Sequence, residues 1–363
     1  MKETIIMNFK KFAVTALAGV MAVSMLSGCG LNKGAIVTKL GNETLTLGMV
    51  NFMARYEQAA MDDLYKAYFG MSVWDQDLYG NGTTMKDETV SDVLNTLHEL
   101  MTLSQSAHME EYGVTVSDEE MAKIEEVAAN FMNANSKEAL NEMGATKDLV
   151  KEMLRLFTIK SKMHAAMIET ADTTVTDEEA NMRGYTVVSA GITTYYDSEQ
   201  GAYVAYTEDE IAEIKETMGH ILDELSNPTD LEALAEEHGM TASYKTYAAD
   251  DSSMETGVKE LLDMLQVGEV SSLTTDNAVY IVRLDQETDA EATEKNRETI
   301  INNRKEAAYS DVLTAWQEDD GFDANVNAEQ LTKISFKNNF TQSDANQASS
   351  STEADVEAGT EAE

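Results

Sequence analysis

Apolar residues set the reading of this chain by their spacing. Ala35-Ile36-Val37-Thr38-Lys39-Leu40 and Glu43-Thr44-Leu45-Thr46-Leu47 are short β-type runs separated by Gly41-Asn42, a dipeptide suited to a two-residue turn, so a hairpin is predicted. Over residues 48–69 the period lengthens, with Val50, Met53, Ala54, Glu57, Met61 and Leu64 in a near-helical repeat, and a glycine-bearing loop ends at Tyr79-Gly80-Asn81-Gly82. Helices are predicted over about 87–112, 118–133 and 146–170, the second opened by Ser117 with Glu120 three residues on, a capping-box pattern. The third carries Leu149, Met153, Leu156, Phe157, Met163 and Met167 as one stripe opposite lysines and glutamate.

At 184–193 the run Gly184-Tyr185-Thr186-Val187-Val188-Ser189-Ala190-Gly191-Ile192-Thr193 is rich in β-branched residues and predicts a strand that opens a new domain. A polar, tyrosine-rich connection through Gly201 leads to predicted helices at about 207–225 and 229–238, a strand at 240–247, a helix at about 255–266 and a strand at 277–285. This β-α-α-β-α-β order implies a compact sheet-and-helix module with one further strand within Val270 to Thr274. Helix returns over about 291–318, where Ile300, Ile301, Arg304, Ala308, Val312 and Trp316 trace a stripe that needs a partner. Beyond Phe336 the chain offers almost nothing to bury, and 337–363 is expected to be a disordered acidic tail.

The amino-terminal stretch follows a different logic. Lys10 and Lys11 precede an apolar run from Phe12 to Leu26, shorter than the roughly 20 residues a membrane-spanning helix needs, followed by small residues that mark a cleavage site. Residues 1–28 are expected to be a signal peptide. Leu26-Ser27-Gly28-Cys29 resembles a lipobox, which implies lipidation of Cys29, the single cysteine of the chain, and attachment to the outer face of the cell membrane. Stable anchoring needs two or more acyl chains, as lipobox processing supplies.

Composition then narrows the function classes. Of 363 residues, 26 are basic and 66 acidic; without residues 1–28 the formal charge is −42. So negative a chain repels nucleic acid and anionic headgroups, and neither is expected as a partner. His98, His108, His164, His220 and His238 lie far apart without paired helical spacing, so no metal site is expected. Asp323, Asn325 and Asn327 imitate the start of a calcium loop, but Ala328 and Ile334 stand where its glycine and bidentate glutamate belong. No Gly-x-Ser-x-Gly or Ser-x-x-Lys occurs, and no cofactor is implied. The 22 methionines suit core filling, with a minority available to a surface that repacks around varied chains.

Three segments carry a family resemblance. Asp230-Leu231-Glu232-Ala233-Leu234-Ala235-Glu236-Glu237-His238-Gly239, then Leu262-Asp263-Met264-Leu265-Gln266-Val267-Gly268-Glu269-Val270-Ser271, and then Ala278-Val279-Tyr280-Ile281-Val282-Arg283-Leu284 resemble the parvulin-type prolyl isomerase domain. With the lipobox, the hairpin and the helical lobe, the chain resembles the extracytoplasmic foldase lipoproteins (PrsA-type) and the related SurA-like chaperones. The resemblance implies a mostly α fold with an α+β insertion: a helical lobe with an N-terminal hairpin over 29–183, a parvulin-like module over 184–289, and a C-terminal helix and strand over 290–336 returning to the lobe. It implies unfolded or partly folded exported proteins as partners, and a foldase or holdase function. The family's two histidines are missing: Tyr280 stands at the position of one, and 184–193 contains none, so efficient isomerisation is not expected. Met264, Leu265 and Tyr280 are the candidate peptide-binding residues, alongside Leu261 and Leu262, and no catalytic residue is assigned. An active isomerase on the same scaffold and a solute-binding lipoprotein are the competing readings; the second requires repeated βα units, which the sequence lacks.

Overall fold

The computed structural model describes residues 21–23, 31–41, 43–318, 320–337 and 340–342. Cys29 and most of the expected signal peptide and tail lie outside them. The described chain is mostly α with small antiparallel sheets, and it divides into two compact units, one of residues 1–171 with 306–363 and one of residues 172–305.

In the first unit, Met21–Val23 (β1) pairs with Phe340–Gln342 near the chain end. That strand replaces, for three residues, the disorder expected after 337; Phe and Thr favour extended backbone, and the pairing satisfies it. Ile36–Leu40 (β2) and Glu43–Thr46 (β3) form the predicted hairpin. Gly41 at its turn has φ 55°, a conformation costly for a residue with a Cβ. Leu47–Phe69 (α1) starts at Thr46, whose hydroxyl accepts from the Met49 N–H, and stops at Gly70 in the left-handed region. Its first turns are buried on nearly every side.

The single helix expected over 87–112 is two: Met85–Leu103 (α2) and Ser106–Glu111 (α3). The break has a local cause. Ser104 Oγ donates to the Met101 carbonyl and Gln105 Nε2 donates to the Met101 and Leu40 carbonyls, so side chains take over the backbone's bonding where the helix would continue. Asp118–Ala134 (α4) has the predicted capping box, with Ser117 and Glu120 bonded reciprocally. Lys137–Met143 (α5), not foreseen in the sequence, is a short capped helix ended by Gly144. Lys147–Ile168 (α6) buries Met153, Leu156, Met163 and Met167 of the predicted stripe, whereas Leu149 and Phe157 are only partly buried.

The second unit begins with the single-turn helix Asp177–Ala180 (α7) and a four-stranded antiparallel sheet. Its strands are Met182–Gly191 (β4), Ala242–Ala248 (β7), Val270–Thr274 (β8) and Ala278–Gln286 (β9), in the order β7-β4-β9-β8. Side chains alternate between faces. Val188, Ile192, Val279 and Ile281 pack under Glu208–Glu224 (α8) and Leu231–Glu237 (α9), while Tyr185, Val187, Val282 and Leu284 pack with Thr256–Met264 (α10). The connection through Gly201 is a second hairpin, Thr194–Asp197 (β5) with Ala202–Ala205 (β6), where Tyr196 and Tyr203 face each other 5.4 Å apart. Tyrosines at cross-strand positions favour such a ribbon, a signal masked by its polar neighbours.

Ala290–Gln317 (α11) belongs to the second unit up to Lys305 and to the first from Glu306. Within the second unit, Arg297 donates to the Val175 carbonyl (2.6 Å) and to Asp177 (2.8 Å), and Arg304 pairs with Glu179. Within the first, Tyr309, Val312, Leu313 and Trp316 close over Leu103, Ile159, Met163 and Met167. The packing stripe therefore starts at Tyr309 rather than at the predicted Ile300, and Ile300 and Ile301 are only half-buried because the part of the helix up to Lys305 belongs to the other unit and does not share this cluster. After α11 the chain passes a 3-10 turn, Asp323–Asn325, and Ala328–Leu331 (α12), and buries Phe322, Ile334 and Phe336 in the first unit's core.

Candidate functional site

Two places are candidates for a functional site. The first is the face of the sheet shared with α10. Register places Ser189, Tyr280 and Leu273 in one row across β4, β9 and β8, and Val187 with Val282 and Ser271 in the next. Leu265 and Tyr280 both pack against the cluster of Tyr185, Val187, Tyr247, Val258, Leu262, Val282 and Leu284. Leu262 is fully buried core and Leu261 packs beside it, whereas Met264 is 74% exposed and takes no part. Of the three candidate residues, the structure therefore brings together Leu265 and Tyr280.

Tyrosines that the sequence reading did not single out define this face. Tyr185 and Tyr247 meet edge to face at 5.6 Å, and the Tyr247 hydroxyl donates to Asp263 Oδ1 (3.0 Å) while accepting from Arg183 (2.8 Å). Burial pushes the phenols of Tyr247, Tyr185 and Tyr280 up from their ordinary value, with Glu255 adding to the effect at Tyr280. All three stay neutral at physiological pH. They can donate a hydrogen bond to a carbonyl, but they cannot shuttle a proton there. The histidines of this unit, His220 and His238, stack on each other 6.3 Å apart; His220 lies on α8 and His238 at the end of α9, the elements that cover the other face.

One glycine shapes the sheet edge. A Cβ on Gly184 would lie 2.1 Å from the Tyr244 hydroxyl, which donates to Asp289, so only glycine lets Tyr244 cross the strand there.

The second place is in the helical unit, around a polar stripe on α1. Arg55, 1% exposed, donates to Gln58 Oε1 (2.6 Å) and to the Ser335 carbonyl (2.7 Å), and lies 3.6 Å from Glu142. Gln58 in turn donates to the Phe336 carbonyl (3.0 Å). The guanidinium sits 5.7 Å over the Phe336 ring, whose other neighbour is Trp74, edge to face at 5.1 Å. The Ser335 and Phe336 main-chain carbonyls are thus held by side chains of α1, with the Phe336 ring between an indole and a guanidinium plane. Burial drives the Arg55 guanidinium down to about 10 against the opposing pull of Glu142 and Asp62, which still leaves it charged.

Trp74 is itself fixed, donating its indole N–H to Asp62 Oδ1 (2.8 Å), and Asp62 is also paired with Lys66. Arg55, Gln58 and Asp62 fall at spacings of three and four, one turn apart on a buried helix face. That polar stripe among apolar neighbours was the signal available in the sequence, and the apolar repeat obscured it. Phe336 could be found only by noticing an aromatic residue at the edge of an otherwise polar tail.

Among the described residues no group of three or more His, Cys, Asp and Glu side chains is arranged to hold a metal ion, and no helix is long and apolar enough to cross a membrane.

No protein-family model and no curated protein matches the chain. Solved structures do match. They include the foldase protein PrsA of Streptococcus pneumoniae, 17% identical over 71% of this chain and 97% of that one, with a TM-score of 0.27. The peptidylprolyl isomerase (PrsA) of Bacillus cereus is 14% identical over 84% of this chain and 98% of that one, with a TM-score of 0.28. PrsA of Bacillus subtilis is 14% identical over 79% and 93%, with a TM-score of 0.20.

Proposed function

We propose that the chain is an extracytoplasmic chaperone of the foldase or holdase type, anchored to the cell membrane through lipid on Cys29, which binds extended segments of unfolded exported proteins. The observation behind this reading is the grip on Ser335 and Phe336. Main-chain carbonyls are common to every polypeptide, so a unit that holds a segment by them, with an aromatic wall for an apolar side chain, recognises backbone rather than one sequence. A high negative charge keeps such a binder soluble and apart from nucleic acid.

Holding is favoured over isomerisation. A peptide bond resists rotation by about 18–20 kcal/mol, and lowering that barrier calls for groups aimed at the twisted amide. On the sheet face, Tyr247 already gives its hydroxyl to Asp263, which leaves Tyr185 and Tyr280 as hydroxyl donors.

The test is suppression of aggregation of an unfolded exported protein by the whole chain and by a chain lacking residues 184–289. The reading expects both to protect. Protection that vanishes with the deletion, in a product that is still folded by circular dichroism, would move the activity to the second unit. In a proline-peptide assay, turnover abolished by Tyr280→Ala would establish the isomerase reading instead. Membrane retention of Cys29→Ala would count against lipid anchoring.

A further inference from the structure

The end of α1 and the loop after it form an exposed apolar surface. Leu64, Tyr68, Phe69, Met71, Leu78 and Tyr79 are all exposed, Tyr68 at 81%. Leu64 and Tyr68, four positions apart, share one face of α1, and Met71 follows Gly70, where the chain leaves the helix. Six large apolar side chains exposed within residues 64–79 are a density that marks an interaction site.

The surface is built, not frayed. Trp74 and Val73 turn back into the core, and the Trp74 indole is bonded to Asp62. The Lys86 N–H donates to the Trp74 carbonyl (2.9 Å) and the Met85 N–H to the Gln76 carbonyl (2.8 Å), tying the loop to the start of α2. Asp77 accepts from the Asn81 and Gly82 N–H groups, which closes the turn beside Tyr79. The loop therefore leaves its apolar side chains in water, where a bound ligand would bury them favourably.

The surface also connects to the Phe336 site. Phe336 touches Trp74 (5.1 Å), Trp74 touches Tyr65 (5.3 Å), Tyr65 approaches Phe69 (6.3 Å) and Phe69 meets Tyr68 (5.0 Å). An aromatic path thus leads from the held Ser335–Phe336 segment to side chains that stand open.

Charge identifies the occupant. Asp63, Asp75 and Asp77 are exposed around the apolar set, while Lys66 and Lys86 are committed to Asp62 and Asp87. An anionic lipid surface does not fit, because the exposed Asp63, Asp75 and Asp77 repel its headgroups.

We propose that Leu64, Tyr68, Phe69, Met71, Leu78 and Tyr79 form the primary docking surface for client chains, selective for apolar segments that also carry lysine or arginine. This rests on the chaperone reading and names the part of the molecule that carries it.

The test uses a fluorescein-labelled synthetic peptide in which leucine and phenylalanine alternate with lysine, its twin with glutamate in place of lysine, and the purified chain. Fluorescence anisotropy is expected to show the lysine peptide bound and the glutamate twin at least about tenfold weaker, with binding of the first falling as salt is raised. Tyr68→Ser combined with Met71→Ser and Tyr79→Ser is expected to weaken the lysine peptide by about tenfold or more, while the melting temperature holds because these side chains are exposed. Unchanged affinity in that folded variant, or equal binding of the two peptides, overturns the proposal. So does a wild-type dimer in sedimentation that the variant converts to monomer, which would make the surface an interface between copies of this chain. The two ideas fail separately: a wild type that suppresses aggregation with a variant that binds normally sinks only the surface, whereas a wild type that does not protect an unfolded protein sinks the chaperone reading itself.

Discussion

Glu57 is a carboxyl held far from its ordinary chemistry. It sits among the buried turns of α1, and burial together with Asp92 raises its carboxyl to about 7. A folded value above the unfolded one means that the folded state binds the extra proton, so the contribution to stability is fully present below about pH 4.5 and is lost as pH rises to about 7. Glu57→Gln should therefore leave the unfolding free energy unchanged near pH 4 and raise it at pH 8, by on the order of 1–2 kcal/mol once solvent screening is allowed for, as read from denaturant melts at the two pH values. Equal effects at both pH values would show that the carboxyl is not so perturbed. Phe336→Ala should cost about 3–4 kcal/mol, because it empties the space between Trp74 and Arg55, and denaturant melts would show it. Neither effect was legible beforehand: Glu57 read as one position in an apolar repeat, and Phe336 as the last residue before a polar tail.

Elements were legible where local chemistry decided them. The Ser117 capping box, the Gly41 turn and the Val270–Thr274 strand all follow from residues within a few positions of one another. Ser117→Ala should destabilise by about 1 kcal/mol, measured by urea titration, since it removes the acceptor for the Glu120 N–H. Elements were misread where distant contacts or side chains intervened. The α2–α3 break depends partly on Gln105 reaching the Leu40 carbonyl, 65 positions away. The stripe of α11 changes its setting near residue 305, which no helical periodicity can reveal. Trp316 stacks on His108 at 3.8 Å, so Trp316→Ala should loosen the last turns of α11 from the helical unit and cost about 3 kcal/mol, with faster amide exchange over residues 306–317. No change in exchange there would mean that the helix is held by other contacts.

At the scale of the molecule, one chain supplies two bodies of different character. The helical unit combines a large apolar core with a buried polar stripe bonded to the Ser335 and Phe336 carbonyls, and it carries exposed aromatic side chains at the end of α1. The sheet unit presents neutral tyrosines where proton-transferring side chains would be needed for acid–base work. The division into a helical lobe and an α+β insertion was readable from the switch of hydrophobic period near residue 184, because helix and strand leave different repeats. The candidate site was readable only in part: Tyr280 and Leu265 do share a cluster, while the strand-holding stripe depends on a segment some 280 positions away in sequence. Hydrogen exchange of the purified chain, with and without a saturating unfolded exported protein, tests the central claim most directly. Slowed exchange over residues 64–82 at the end of α1 is the predicted result; slowing confined to β4 and β9, or none at all, would contradict it.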